Sequence, residues 1–139
     1  MGKKDAYHDL TANSVIDPIT CSNDATGNVA VGLDLLDYRG ALIGVQAGVE
    51  GDLFNTSNYF TIKWQDSNDD STYAACNDND LIGGNNTQVI DSNGETPAIH
   101  VRAYRGLARY FRAIIDVTGT MANGTQISGF GIRYQKLRQ

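Results

Sequence analysis

Few side chains in this chain of 139 residues are of a type that does chemistry, and they are scattered. The two histidines, His8 and His100, stand near no cysteine, in no Gly-x-Ser-x-Gly turn and at no His-x-x-x-His spacing, so base, nucleophile and zinc chemistries each lack a partner. His8 falls in a polar stretch and His100 on the polar side of an alternating run, which predicts a solvated imidazole at both. The densest set of oxygen ligands is Asp66-Ser67-Asn68-Asp69-Asp70-Ser71, with Asp78 and Asp80 behind it. Glycosidase work needs two carboxyls held about 5 to 10 Å apart across a cleft, which sequence neighbours such as Asp69 and Asp70 do not imply. Oxygens at alternating positions (Asp66, Asn68, Asp70, then Asp78 and Asp80) suit calcium, but the EF-hand spacing and its closing bidentate Glu are missing. A polar turn is the first reading there and calcium the alternative. Cys21 and Cys76 lie far apart without metal-ligand spacing; buried free thiols are expected, with a single disulfide as the alternative. This inventory points away from an enzyme, and no cofactor is expected.

The elements that position these residues read as strands. Hydrophobic residues make up 41% and charged ones 19%, with 15 glycines, and no long Ala/Glu/Lys/Leu block of helical period appears. Asn, Ser, Thr and Gly crowd the intervals between short apolar runs, the pattern of many strands joined by turns. A chain of this length buries roughly 68% of its unfolded surface, enough for one core without staples. Residues 1–27 are mostly polar, with Val15, Ile16 and Ile19 as the only apolar anchors, and read as an arm or irregular lead-in to a single domain over residues 28–139. Val29, Val31, Leu33 and Leu35 alternate with polar or small residues; Ile43, Val45, Ala47 and Val49 do the same after the turn Asp37-Tyr38-Arg39-Gly40. Phe60, Ile62 and Trp64 form the clearest half-buried strand, and Trp64 is expected to anchor the core. Short strands follow at Thr72 to Cys76 and Gln88 to Ile90, and Ile99, Val101 and Ala103 alternate with His100, Arg102 and Tyr104.

The segment from Tyr104 to Thr120 fits two periods. Phe111, Ala113, Ile115 and Val117 share one face of a strand, whereas Leu107, Tyr110, Phe111, Ile114 and Ile115 share a helical stripe; β-branched enrichment and the closing Thr-Gly-Thr favour the strand. The chain ends with Ser128, Phe130, Ile132 and Tyr134 on one face and Gly129 and Gly131 on the other. The expected fold is therefore all-β, a β-sandwich of about seven to eight strands, jelly-roll-like, behind an extended polar N-terminal arm.

Net charge is -5 and uneven: residues 1–100 hold 15 acidic and 4 basic side chains, residues 101–139 hold 1 and 7. Pairing of early acids with late bases across the fold is the first reading; a bipolar surface that orients neighbouring copies is the alternative. An acidic chain with its arginines spread along strands gives no nucleic-acid footprint. No run approaches the roughly 20 apolar residues that cross a bilayer, and no apolar stretch follows Lys3 and Lys4, so a soluble chain with neither membrane partner nor cleaved export signal is expected.

Three strings carry a family resemblance: Gly32-Leu33-Asp34-Leu35 with Tyr38-Arg39-Gly40-Ala41; Phe60-Thr61-Ile62-Lys63-Trp64-Gln65-Asp66-Ser67-Asn68-Asp69-Asp70-Ser71-Thr72-Tyr73; and Tyr104-Arg105-Gly106-Leu107-Ala108-Arg109-Tyr110-Phe111-Arg112. Over about residues 28 to 134 the chain resembles small head proteins of tailed bacteriophages, departing from their usual hairpin by Asp70 where Gly is common. The resemblance implies a capsid decoration, or cement, protein made in the host cytoplasm. It would lie on the outer capsid surface of the virion, partnered by the major capsid protein and by neighbouring copies, clustered as trimers at the symmetry axes of the shell. On that reading the arm, with Gly2, Lys3, Lys4, Tyr7, His8 and Leu10, supplies an inter-subunit contact. Two alternatives stand beside it: a carbohydrate-binding sandwich with Tyr73, Tyr104 or Tyr110 as a stacking platform, and a tail or head-to-tail joining protein.

Overall fold

Apolar residues at every second position give a strand one face for a core, and three strands follow this rule closely. Phe60, Ile62 and Trp64 are 0%, 1% and 0% exposed; Ala41, Ile43, Val45 and Ala47 are buried in the same way, as are Phe111, Ala113 and Ile115. The computed structural model describes residues 10–25 and 30–136. Among these are ten strands: β1 (Leu10–Cys21), β2 (Leu33–Asp34), β3 (Tyr38–Glu50), β4 (Tyr59–Ser67), β5 (Ala74–Ala75), β6 (Leu81–Ile82), β7 (Thr87–Ile90), β8 (Ala98–Tyr104), β9 (Tyr110–Thr118) and β10 (Thr125–Lys136). All pairings between them are antiparallel.

The front sheet has the order β1-β10-β3-β8-β6, and the back sheet runs β2-β9-β4. The far edge of β4 is shared, with β7 along Phe60–Lys63 and β5 along Gln65–Asp66. With the two-residue strands β5 and β6 set aside, eight strands remain in the orders first-eighth-third-sixth and second-seventh-fourth-fifth. That is the strand order of a jelly roll. Strands β5 and β6 belong to the excursion between β4 and β7. The seam between the sheets is closed where Ala25 bridges Ile115 of β9 and Ala30 bridges Ile16 of β1. One apolar cluster fills the space between the layers, with Tyr104 stacked on Phe111 at 4.7 Å between ring centroids and Phe54 edge-on to Phe60 at 5.2 Å.

Two features differ from the expectation drawn from sequence, in β1 and β8, and a third, in β10, settles a choice that alternation left open. Residues 10–21, read as part of an irregular lead-in, form β1 and pair with β10 from Leu10 to Cys21. Its polar composition reflects an edge strand; Val15 and Ile16, 1% and 0% exposed, are the anchors that hold it, and the register slips between Ser14 and Ile19 let it bend. In β8 the faces are exchanged: Arg102 and Tyr104 point inward and are buried, while Ile99 and Val101 point out. In β10, Gly129 and Gly131 face the core and Phe130 faces outward. The reason in β10 is volume: a Cβ at Gly131 would meet the Leu33 side chain, and one at Gly129 would lie 3.1 Å from Ile16. The helical alternative for residues 104–120 does not occur, since Arg105 to Arg109 form a loop into β9.

Candidate interaction surface

The groups singled out for chemistry are used to hold the fold. Asp69 Oδ1 accepts hydrogen bonds from the N–H groups of Thr72 (2.7 Å) and Ser71 (2.9 Å) and from the Ser67 hydroxyl (2.9 Å), which hold its carboxyl well below the usual carboxylate range. Asp70 adopts φ +60, the left-handed conformation Gly would take there, and its carboxylate accepts from the Tyr73 phenol. Asp66 accepts from the Tyr104 phenol at 2.7 Å, and Asp78 from the Asn86 N–H at 2.7 Å. Asp80 offers its backbone carbonyl to the N–H of Arg105 at 2.9 Å. Asn68 is exposed. The acidic run is a hydrogen-bonded turn, and among the described residues no three His, Cys, Asp or Glu side chains are grouped to hold a metal ion.

His100 is half-buried rather than solvated. Burial and the nearby Arg102 push its pKa down, Glu95 pulls the other way, and its Nε2 has no partner among the described residues. Cys21 and Cys76 are free and buried; burial pushes the Cys21 thiol up to about 11 and Cys76 higher still, so neither is a ready nucleophile.

The arginines of the C-terminal third meet partners from earlier in the chain. Arg109 forms a two-pronged pair with Asp34 (2.9 and 2.7 Å), and Lys63 pairs with Asp116. Arg112 bonds Gln65 Oε1 and lies 3.7 Å from the Tyr73 ring centroid; Arg133 bonds the Asp34 carbonyl and lies 4.6 Å from the Tyr38 ring. The tyrosines considered as a sugar platform are occupied in turn: Tyr104 is 1% exposed, Tyr73 has Arg112 on its ring, and Tyr110 has Arg109 at 5.0 Å.

Of the residues expected to make inter-subunit contacts, Gly2, Lys3, Lys4, Tyr7 and His8 lie outside the described residues. Leu10 opens β1 opposite Tyr134 and is 43% exposed. It stands at the corner of a wider surface, the outer face of the front sheet. Register places Ala12, Ile132, Leu42, Ala103 and Ile82 side by side in one row across all five strands. The next row is Ser14, Phe130, Gly44 and Val101, and the one beyond holds Ser128, Gln46 and Ile99. None of these residues is charged. Ile99 is 57% exposed, Ile82 56%, and Val101 and Phe130 37% each. The end of the Phe130 ring lies over Gly44, where a Cβ would collide with it, and Tyr134 covers Gly40 in the same way.

Two hollows adjoin this surface. Where β1 bends, a shallow groove of about 460 Å³ is lined by Asn13, Ser14, Pro18, Gln46, Ser128 and Phe130 among others. At the end of the sandwich where β2 turns into β3, Leu36, Tyr38, Arg39, Leu107 and Arg109 border a cleft of about 360 Å³, with Leu107 fully exposed on its rim.

Alternation in β8 points the wrong residues inward, and in β10 it gives two faces without saying which is the core face, so this surface is not legible from it. The glycines of β3 and β10 were the available signal: Gly40 and Gly44 leave room for rings outside, Gly129 and Gly131 for side chains inside. Among the described residues no helix is long and apolar enough to cross a membrane. Compared with protein-family models, with curated proteins and with solved structures, the chain matches none.

Proposed function

We propose that this protein is a virion structural component, a capsid decoration protein that sits on the outer surface of a tailed-phage head, binds the major capsid protein and stabilises the shell. The observation that carries this reading is the outer face of the front sheet, apolar and uncharged on a chain of net charge -5. A surface of that kind marks a contact with another macromolecule. The rest of the molecule fits an adhesive building block, because Asp69 and Asp70 close a turn, the two thiols are buried, and Arg102, Arg109, Arg112 and Arg133 lie on aromatic rings. The sequence resemblance to small phage head proteins supplies the identity of the partner.

Mass spectrometry of purified particles tests it. The chain is expected in a copy number that scales with the shell, in the hundreds rather than about a dozen; its absence, or a stoichiometry of a dozen, removes the head-decoration reading and in the second case moves the protein to a joining or tail role.

A glycan-binding sandwich is the second reading, favoured by the groove in which the exposed Phe130 ring stands beside the neutral side chains of Asn13, Ser14, Gln46 and Ser128. It predicts binding on a glycan array that Phe130→Ala abolishes, and a blank array ends it.

A further inference from the structure

We infer that the outer face of the front sheet is itself the seat on the shell, and that it recognises a flat, uncharged, apolar protein surface through contact that salt does not weaken. This rests on the decoration reading and adds which residues do the binding and what chemistry the shell must offer.

Charge and area both support it. Four rows, the longest across five strands and the others across three or four, span about 20 Å along the strands and at most about 20 Å across them, an area of no more than about 400 Å². Over that area the side chains in the rows are Ala, Leu, Ile, Val, Phe and Tyr with a Ser and Gln margin; none of them is charged, and one carboxylate, Asp17 of β1, reaches the margin, where it accepts from the Ser14 hydroxyl at 2.6 Å. A partner presenting charge there would lose its hydration and receive nothing in exchange. The glycines make room for the rings: Phe130 and Tyr134 lie over Gly44 and Gly40, their partners in register, and occupy the space that side chains would take there. Ile99, Ile82 and Val101 are the most exposed apolar groups of β6 and β8.

Area also selects the occupant. A stable two-body interface removes roughly 800 Å² from each partner, about twice what this face offers. The face therefore does not hold a pair of copies together in solution. It suits a partner that adds contact at the margin, as the adjoining subunits of an assembled shell do, where many equivalent seats and a second contact per copy turn a modest affinity into retention.

The experiment adds purified full-length protein to emptied heads that lack it and measures occupancy by sedimentation and gel densitometry, from about 0.05 M to about 1 M NaCl. Wild type is expected to hold its occupancy within about twofold over that range. Ile99→Asp and Val101→Asp, which place a carboxylate on the seat, are expected to lower affinity by at least about a hundredfold. Val89→Asp, on β7 of the back sheet and 42% exposed, is expected to bind as wild type. Because Val101 is partly covered, Ile99→Asp is the more tolerant of the two for folding, and the circular dichroism spectrum and thermal midpoint of each variant are compared with wild type before binding is scored. Wild type that fails to occupy heads at any salt overturns the decoration reading itself. Wild type that binds while both seat variants bind equally, or that dissociates as salt rises, overturns this inference and leaves decoration standing. A wild-type dimer in sedimentation equilibrium that Ile99→Asp dissolves makes a second copy the occupant and overturns it as well.

Discussion

The guanidinium of Arg102 lies 4.4 Å from the centroid of the Trp64 ring, inside the sandwich, with 5% of the arginine and none of the tryptophan exposed. Its nitrogens donate to the carbonyls of Asn85 (2.9 Å) and Val101 (3.0 Å) and to Gln88 Oε1 at 3.2 Å. An inward arginine on β8 is thereby satisfied by the β6–β7 loop and by a ring of β4, so it ties the two sheets together.

Removing that tie has a definite cost. Arg102→Ala should lower unfolding free energy by about 3 kcal/mol, since it empties a packed site and leaves two carbonyls and an amide without their donor. Arg102→Lys should fall between, because one ammonium cannot reproduce a planar fork. Urea denaturation of both variants checks this, and a loss below about 0.5 kcal/mol for the alanine would mean that the ring contact contributes nothing.

Stability should decline on acidification, in two steps. Burial and Arg102 lower the pKa of His100, so the unfolded chain takes up that proton first, and stability present above about pH 6.5 is lost as pH falls below it. Hydrogen bonds from Arg109 depress Asp34, and backbone N–H bonds from Thr72 and Ser71 depress Asp69, so their contribution holds above the unfolded value near 4 and disappears as pH drops through the lower folded ones. The urea midpoint should therefore fall slightly between pH 7 and about 5 and steeply below about 4. His100→Gln should abolish the first step alone. A midpoint that rises on going from pH 7 to 5 contradicts the assignment.

Gly44→Ala separates the ring packing of the seat from the stability of the sheet. The new methyl group displaces the Phe130 ring, which can swing toward solvent, so the thermal midpoint should drop by only a few degrees while shell occupancy falls by about tenfold. Equal occupancy for Gly44→Ala and wild type would show that the ring need not lie over Gly44.

Both thiols should be silent in the folded protein. With their pKa values pushed up by burial, Cys21 and Cys76 should react with an aromatic disulfide at pH 8 at least about a hundredfold more slowly than in denaturing urea, at a rate set by unfolding. Rapid titration of one equivalent in the native state would place a cysteine at the surface.

Period-two alternation with β-branched and aromatic residues was enough to identify strands at Ile43–Ala47, Phe60–Trp64 and Phe111–Val117, and with them the all-β class and the role of Trp64 in the core. Alternation says which residues share a face but not which way that face points. In β8 the choice was made by partners distant in sequence: Trp64 and the carbonyl of Asn85 receive Arg102, Asp66 and Phe111 receive Tyr104, and Ile99 and Val101 are left outside. In β10 it was made by the space Leu33 and Ile16 already occupy. The strand β1 was hidden for a related reason, because an edge strand keeps few apolar residues and its identity rests on the backbone bonds that β10 offers. Local chain chemistry thus determined that this protein is made of strands, whereas long-range packing decided which apolar residues were left over to form its outward face.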